Sequence, residues 1–306
     1  MGQELPKISL PKISIVTPSL NQAPFLEATI QSVLQQGYPN LEYIIIDGAS
    51  TDRSLEIIKK YESQLHFWCS EPDGGHYAAV NKGFSHATGE ILGWLNSDDM
   101  HYPWTLKTLG SVLSDLPQIE WITTLYPGSW DFAGFARRFR AFPGYSREAF
   151  LDGRYLPWNR KAFGWVQQES TFWRRSLWEK VGAYIRPEFS LAGDFDLWSR
   201  FWCYSELYGL DSPLAGFRRQ HTSRNAQNYR KYVFEAEQSL ELMRNVLQWS
   251  PNRYRDLVLQ WQLYKMPGMR SFKRSHWIYH SQKIVRRNFD RPEGYWAIEE
   301  FPFFFH

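Results

Sequence analysis

Short β-branched runs alternate with amphipathic stretches through the first half of this 306-residue chain. KISIVTP (12–18), YIIID (43–47) and EILGWL (90–95) are typical of strands, and YIIID is apolar on both faces, as a central parallel strand must be. Helical stretches such as 23–36 and 103–115 follow these strands. The order predicts an α/β fold with a mostly parallel sheet flanked by helices.

The second half is less regular. Residues 127–165 are rich in Gly, Pro, Arg and aromatic residues, and they predict long loops with short helices over a site. A strand at 168–175, a helix at 194–204 and a strand at 214–219 are expected next. From about residue 224 the pattern predicts helices.

The chain is therefore divided into a catalytic domain, residues 1–222, and a helical, basic and aromatic-rich extension, residues 223–306. The extension carries 14 Lys and Arg against 8 Asp and Glu, although the whole chain has a formal net charge of only +3. Such a segment can pack on its own domain, pack on a second subunit in a homodimer, or lie on an anionic membrane. We rank packing first and membrane contact second, and we expect no nucleic-acid partner, since no recognition motif accompanies the charge.

Several classes of protein are excluded. No run approaches the roughly 20 apolar residues that span a bilayer, and the N-terminal MGQELPKISLPK lacks the apolar core of a signal peptide. We therefore expect a cytoplasmic protein, with the inner face of the membrane as its second location. The sequence has neither GxGxxG nor GxxxxGK[ST], so it supports neither a dinucleotide-binding site nor a P-loop.

Polar residues follow three of the predicted strands. They are Thr17, Ser19 and Asn21 at the end of the first, with Pro18 between Thr17 and Ser19, Asp47 at the end of the second, and Asn96, Ser97, Asp98 and Asp99 after the strand at 90–95. Ligands of open α/β sheets bind at the carboxyl ends of the strands, where these residues are expected to meet. Mg²⁺ or Mn²⁺ can join a few carboxylates to two phosphate oxygens, a role that fits Asp98 and Asp99. The alternative is that these two acids cap the helix at 103–115.

Four ordered segments make the chain resemble the family 2 glycosyltransferases, which are inverting enzymes of the GT-A fold. They are IVTPSLNQAPFLEATIQSVLQQGYPNLEYIIIDGASTDRS, DGGHYAAVNKGFSHATGEILGWLNSDD, QQESTFWRRSLWEKVGAY and AGDFDLWSRF. Any one segment is a weak signal, whereas four in the right order are a strong one. The resemblance covers residues 12–222 and implies a nucleotide-diphosphate sugar as donor, UDP- or dTDP-linked, and a divalent metal.

The resemblance also implies roles for single residues on the donor side. Asp47 corresponds to the acid that hydrogen-bonds the donor base, and Pro18 and Ser19 correspond to the loop beside that base. Asn81, in AVNKG, is expected to face the diphosphate or the sugar. Asn96 replaces the first acid of the family's DxD triplet and is expected to meet the ribose or sugar.

The same comparison gives the metal ligands and the base. Asp98 is the main candidate ligand and Asp99 the second, while His221 resembles a late histidine that completes the metal site in some members. The alternative for His221 is an ordinary surface histidine. Asp194, in GDFD, corresponds to the catalytic acid that acts as general base, and Asp196 is its competitor.

The function predicted is inverting transfer of a sugar to a hydroxyl acceptor, either a saccharide or a lipid-linked saccharide, in the synthesis of cell-surface polysaccharide or glycolipid. Two other classes are kept open. A nucleotide-sugar-binding protein with impaired catalysis is conceivable because Asn96 replaces an acid. A nucleotidyltransferase would also be an α/β protein with metal-binding acids, but it should have a Gly-rich basic loop after the first strand, where TPSLNQAPF stands.

Overall fold

The computed structural model describes residues 10–156, 162–220, 228–261 and 279–303. Its first part alternates strands and helices, as the hydrophobic pattern predicts. The elements up to residue 115 are β1 (Ile13–Ser19), α1 (Ala23–Leu34), β2 (Leu41–Asp47), α2 (Ser54–Tyr61), a 3-10 turn (Glu62–Gln64), β3 (Phe67–Ser70), α3 (His76–His86), β4 (Ile91–Trp94), β5 (Met100–His101) and α4 (Thr105–Asp115).

Between residues 115 and 279 the described strands are short, and helices lie between several of them along the chain. They are β6 (Trp121–Thr124), β7 (Gly128–Trp130), β8 (Ala136–Phe139), α5 (Arg147–Leu151), a 3-10 turn (Gln168–Ser170), β9 (Phe172–Arg174), α6 (Arg175–Lys180), α7 (Gly193–Trp202), β10 (Leu207–Leu210), β11 (Ala215–Arg218), α8 (Tyr229–Leu247), α9 (Arg253–Gln260), β12 (Tyr279–Asn288) and β13 (Tyr295–Phe303).

The main sheet has the strand order β13-β12-β10-β6-β9-β4-β1-β2-β3. Its pairs are parallel except those that involve β9 and β13, which run antiparallel to their neighbours. A smaller sheet has the order β5-β11-β7-β8. Helices pack on both faces of the main sheet through two apolar cores. The predicted α/β fold with a mostly parallel sheet is confirmed.

Two predictions about the second half are wrong in part. Residues 127–165 do contain the short helix α5, but β7 and β8 form a hairpin where loops were expected. The extension is helical in α8 and α9, whereas 279–303 forms strands and not the predicted helices. β12 pairs in parallel with the otherwise open side of β10, and β-branched and aromatic residues such as Val285 and Tyr279 fit that buried position.

The extension is thus part of the main sheet and of its core. The predicted boundary at residue 222 lies outside the described residues. Of the described tail cations Lys283, Arg286, Arg287 and Arg291, two are paired with carboxylates: Arg286 binds Asp211 and Glu299, and Lys283 lies 3.6 Å from Glu300. Among the described residues, no helix is both long enough and apolar enough to cross a bilayer.

A stack of buried tryptophans joins β4, β6 and α7. The ring centroids of Trp94 and Trp198 are 6.0 Å apart with planes at 12°, and those of Trp121 and Trp198 are 5.8 Å apart with planes at 25°. Trp173 packs edge-on against Trp94. Each of these rings is at most 2% exposed, so they fill the core, as expected for most of the tryptophans.

Candidate active site

The ends of β1, β2 and β4 lie side by side, because β1 pairs with β4 on one side and with β2 on the other. Ser19 is in register with Asp47, and the amide of Gly48 donates to the Ser19 carbonyl over 2.8 Å. Leu95, just after β4, donates to the carbonyl of Val16 over 2.9 Å. The polar residues that follow these strands therefore meet at one edge of the sheet.

Asp47 is fully buried and already holds its own loop. Its carboxylate accepts hydrogen bonds from the Ser50 amide (2.9 Å), the Ser50 hydroxyl (2.5 Å) and the Ser70 hydroxyl (2.7 Å). An ionised carboxylate offers about four lone-pair positions. Asp47 can therefore shape the loop and still accept one further hydrogen bond, as the predicted role beside a donor base requires.

The residues after β1 divide into two groups. The Asn21 side chain accepts from the Thr51 amide over 2.8 Å, and the Thr17 hydroxyl lies 3.0 Å from the hydroxyl of buried Tyr43, so both serve the scaffold. Pro18 is buried in β1. Ser19 differs, because its buried hydroxyl has no hydrogen-bond partner among the described residues. An unpaired buried hydroxyl is costly, so Ser19 is the residue of this group most suited to meet a ligand.

The segment after β4 is a tight turn fixed from α1. The Thr29 hydroxyl donates to the Ser97 carbonyl over 2.9 Å and lies 2.8 Å from the Asp99 carbonyl. The Asn96 side-chain amide lies 3.1 Å from Gln168 Oε1 and 3.3 Å from Asp99 Oδ2. The other end of Asn96, its Oδ1, is buried without a partner in the described part of the chain.

Asp98 and Asp99 are held by the end of β11. The Arg218 amide donates to Asp99 Oδ1 over 2.7 Å, and Arg218 Nε donates to the Asp98 carbonyl over 2.6 Å. Gln220 Nε2 donates to Asp98 Oδ2 over 2.7 Å. The alternative that these acids cap the helix at 103–115 is wrong, because α4 starts after Trp104 without a side-chain cap.

This corner of the protein contains more acidic than basic side chains. Burial raises the pKa of Asp98, and burial together with the charges of Asp98 and Glu169 raises that of Asp99. Burial, reinforced by the charges of Asp98 and Asp194, raises the pKa of Glu169 to about 7. Arg218 is the cation that faces the two aspartates. The site therefore favours an added cation.

Within the described residues, no group of three His, Cys, Asp or Glu side chains could hold a metal ion by itself. The arrangement fits instead the way Mg²⁺ usually binds, through one or two carboxylates and the phosphates of a substrate. Asp98 is the more available carboxylate, since both oxygens of Asp99 already have partners, the Arg218 backbone amide and the Asn96 side chain. His221, the third predicted ligand, lies outside the described residues.

Asp194 stands in the first turn of α7, with no cation bound to it in the described structure. Its carboxylate accepts from the Phe195 amide over 2.8 Å and from the Tyr232 hydroxyl over 3.2 Å. Burial raises its pKa to about 6. The preceding Gly193 is required by space, because a Cβ there would come within 2.7 Å of the Tyr77 ring. Asp194 therefore has the properties of a base that is ionised near neutral pH.

Asp196 has a different environment. It is 1% exposed and pairs with Arg186 at 3.1 Å and with Arg200 at 2.9 Å. The hydroxyl of Ser239 also donates to it over 3.1 Å. Asp196 is thus neutralised inside the protein, which favours Asp194 over its competitor.

Helix α8 holds the start of α7 through one of its faces. Buried Glu235 accepts from the amides of Leu191 (2.8 Å) and Ala192 (2.9 Å) and from Ser190. Tyr232 lies about one turn before Glu235 and Ser239 about one turn after it on the same face of α8, and they bind the two aspartates of α7. The sequence pattern gave no sign of these contacts, nor of the buried position of Glu169.

The Asn81 side chain contacts the segment before α7. Its side-chain amide donates to the Ile185 carbonyl over 2.8 Å, and its Oδ1 accepts from the Ile185 amide over 2.7 Å. Both polar ends therefore join α3 to the segment before α7. The expected contact of Asn81 with the diphosphate or sugar stays a prediction.

Comparisons with known proteins give the family. The sequence model of Glycosyl transferase family 2 matches residues 14–163. The glycosyltransferase Rv1514c of Mycobacterium tuberculosis is 31% identical over 188 residues, which is 61% of this chain and 67% of that protein. TuaG of Bacillus subtilis, named for teichuronic acid biosynthesis, is 38% identical over 92 residues, or 29% of this chain and 36% of TuaG.

Solved structures agree on the fold. TarS 1–349 of S. aureus in complex with UDP-GlcNAc superposes with a TM-score of 0.60 at 17% identity, over 76% of this chain and 66% of that one. A longer structure of TarS superposes with a TM-score of 0.54 at 18% identity. The match covers 68% of this chain but only 37% of that TarS structure. With its mixed sheet and its acidic strand ends, the chain belongs to glycosyl transferase family 2 and has the GT-A fold.

Proposed function

We propose that this glycosyltransferase moves a sugar from a UDP- or dTDP-linked donor, with inversion, onto a hydroxyl of a saccharide or lipid-linked saccharide during synthesis of a cell-surface glycan. The observation that carries the proposal is a pair of carboxylates from different elements whose charges both act on buried Glu169. Asp98 lies at the strand ends, Asp194 lies at the start of α7, and the charges of both raise the pKa of Glu169. One carboxylate would serve the donor and the other the acceptor.

The donor side uses residues from three strand ends. Ser19 has a free hydroxyl and Asp47 has one free lone-pair position, which suits the ring N–H of a pyrimidine base. A divalent metal, bound by Asp98 and the donor's phosphates, would neutralise charge on the departing diphosphate. The TarS complex with UDP-GlcNAc and the name of TuaG support this donor class and a cell-wall polysaccharide as product.

On the acceptor side, Asp194 would act as general base. Its carboxylate takes the proton of the acceptor hydroxyl while that oxygen bonds to the anomeric carbon. The bond from this carbon to the diphosphate oxygen breaks at the same time, and the nucleoside diphosphate leaves with the electron pair. The sugar arrives with inverted configuration because attack and departure take place on opposite faces.

Calorimetry with UDP, dTDP and GDP, each with Mn²⁺ and with EDTA, tests the donor site. We expect a pyrimidine nucleotide to bind only in the presence of metal, and Asp98→Asn to weaken that binding roughly tenfold to a hundredfold, as loss of a charged interaction does. The matched control is Asp115→Asn, an exposed acid at the end of α4, which should bind like the parent. Equal affinity in EDTA would overturn the metal role.

The same preparations separate the alternatives. Turnover of a UDP- or dTDP-sugar to free nucleoside diphosphate is expected for the transferase. Binding without turnover would indicate an impaired nucleotide-sugar-binding protein, and release of pyrophosphate from a nucleoside triphosphate would indicate a nucleotidyltransferase.

A further inference from the structure

The hairpin of β7 and β8 exposes apolar rings beside basic side chains. Its turn holds Phe132 and Phe135, which are 65% and 72% exposed, and Phe139 on β8 is 46% exposed. Arg137, Arg138 and Arg140 are exposed as well. We call these six residues the hairpin surface. Between residues 131 and 147 the sequence contains a single acid, Asp131.

The turn that carries these rings is well defined. Asp131 accepts hydrogen bonds from the amides of Phe135 (2.9 Å, at its side chain) and Gly134 (3.1 Å, at its carbonyl). Gly134 adopts a φ of +92°, which is easily reached only by glycine. Asp131 is therefore occupied in shaping the turn.

The hairpin surface is fixed to the donor side of the active site. Arg218, which binds Asp98 and Asp99, also donates from Nη1 to the Phe132 carbonyl over 2.9 Å. The ring of Phe132 packs edge-on against Phe25 at 5.0 Å, and the Arg218 guanidinium lies 5.1 Å from the same Phe25 ring. Whatever the hairpin surface binds is held next to the catalytic strand ends.

We propose that the hairpin surface binds an anionic membrane, with Phe132 and Phe135 entering the headgroup region and the three arginines contacting lipid phosphates. Apolar rings next to basic residues are the combination that binds such interfaces. An anionic glycan is less favoured, because phenylalanine has no polar edge to offer a sugar and the rings sit on a projecting turn. β8 is an edge strand, and arginines on an edge strand also discourage strand pairing between molecules. That role does not explain why Phe132 and Phe135 are exposed.

This inference goes beyond the proposed function, since membrane binding can be measured without any substrate. It also moves the predicted membrane contact from the tail to the hairpin surface. Arg286 and Lys283 of the tail lie next to carboxylates, whereas the three arginines of the hairpin surface are exposed. For an enzyme that uses a lipid-linked acceptor, the hairpin surface would hold the active site at the membrane plane.

Co-sedimentation with vesicles made of phosphatidylglycerol and phosphatidylcholine in equal parts tests the proposal, with pure phosphatidylcholine as the neutral comparison. The full chain should bind the anionic vesicles at low salt and be released as salt rises. Each basic residue near such a surface contributes about fivefold, so Arg137→Gln/Arg138→Gln/Arg140→Gln should weaken binding about a hundredfold. Phe132→Ser/Phe135→Ser should weaken it about tenfold at any salt concentration.

The matched control is Lys59→Gln/Lys107→Gln/Arg253→Gln, which removes one exposed charge from each of α2, α4 and α9. This variant should bind like the parent. The proposal is overturned if the control loses as much binding as the hairpin variant, if both hairpin variants sediment like the parent, or if the parent does not bind. It is also overturned if the hairpin arginines change activity on a soluble anionic glycan and leave vesicle binding intact.

Discussion

The turn after β4 and the first turn of α7 each carry two acids close together. In both regions one acid is more deeply buried than the other. After β4, Asp99 is fully buried and accepts a hydrogen bond from the backbone amide of Arg218, while Asp98 is only partly buried. On α7, Asp196 is buried between two arginines, while Asp194 is without a cation. In each region one acid stabilises the local structure and leaves the other available for chemistry.

The largest effect expected from this comparison is on the catalytic rate. Asp194→Asn should lower the turnover number about 10²- to 10⁴-fold, which is what general-base catalysis typically contributes. Donor affinity should change little, because the diphosphate is expected to bind at the strand ends. Steady-state transfer rates and calorimetry with the nucleoside diphosphate measure the two effects separately. A nearly normal rate in Asp194→Asn would place the base elsewhere.

A second test compares the effects of the α7 acids on stability. Asp196→Asn leaves Arg186 and Arg200 without their carboxylate and should lower the free energy of unfolding by about 3 kcal/mol at pH 8. Asp194→Asn should act in the opposite direction at that pH. The pKa of Asp194 rises on folding from 3.8 to about 6, so above pH 6 its charge disfavours the folded state.

Urea unfolding at pH 4 and pH 8 checks both signs. The gain from Asp194→Asn should be on the order of 1 kcal/mol at pH 8 and should nearly vanish at pH 4, where the carboxyl is largely protonated in the folded protein and about half protonated in the unfolded chain. If both substitutions destabilised the protein equally, the two acids would not have separate roles.

The smallest expected effect concerns Tyr232. Its hydroxyl stabilises the ionised form of Asp194 and so lowers the pKa of that carboxyl. In Tyr232→Phe the carboxyl should ionise at higher pH, and the acidic limb of the profile of kcat/KM against pH should move up from near 6 by about half a unit. The rate above pH 8 should stay within about twofold of the parent. A lower rate at every pH, with an unmoved limb, would mean that Tyr232 has only a packing role.

The sequence predicts the parts of the site that depend on local pattern. The meeting of Ser19, Asp47 and Asp98 follows from apolar strands that end in polar residues, since parallel strands share one edge. The choice of Asp194 over Asp196 came from the resemblance to the family, and the environments of the two acids support it. The helical start of the extension also follows from its amphipathic pattern.

Other parts depend on contacts between distant segments. Tyr232 and Glu235 lie on an ordinary amphipathic helix, and nothing near them indicates that this face packs on α7. Glu169 acquires its raised pKa from burial and from two acids far away in sequence. Residues 279–303 become strands because the side of β10 is open to pairing, which no local propensity reveals.

The tryptophan stack has a mechanical consequence. Trp94 ends the strand that leads to Asn96 and Asp98, and Trp198 lies one helical turn after Asp194, so their contact fixes the turn after β4 relative to the start of α7. Closely packed, fully buried rings resist compression, so the tryptophans act here as a rigid spacer. Because a shift of about 1 Å can cost a hundredfold in rate, we expect the reach of the proposed base Asp194 to depend on residues that never touch a substrate.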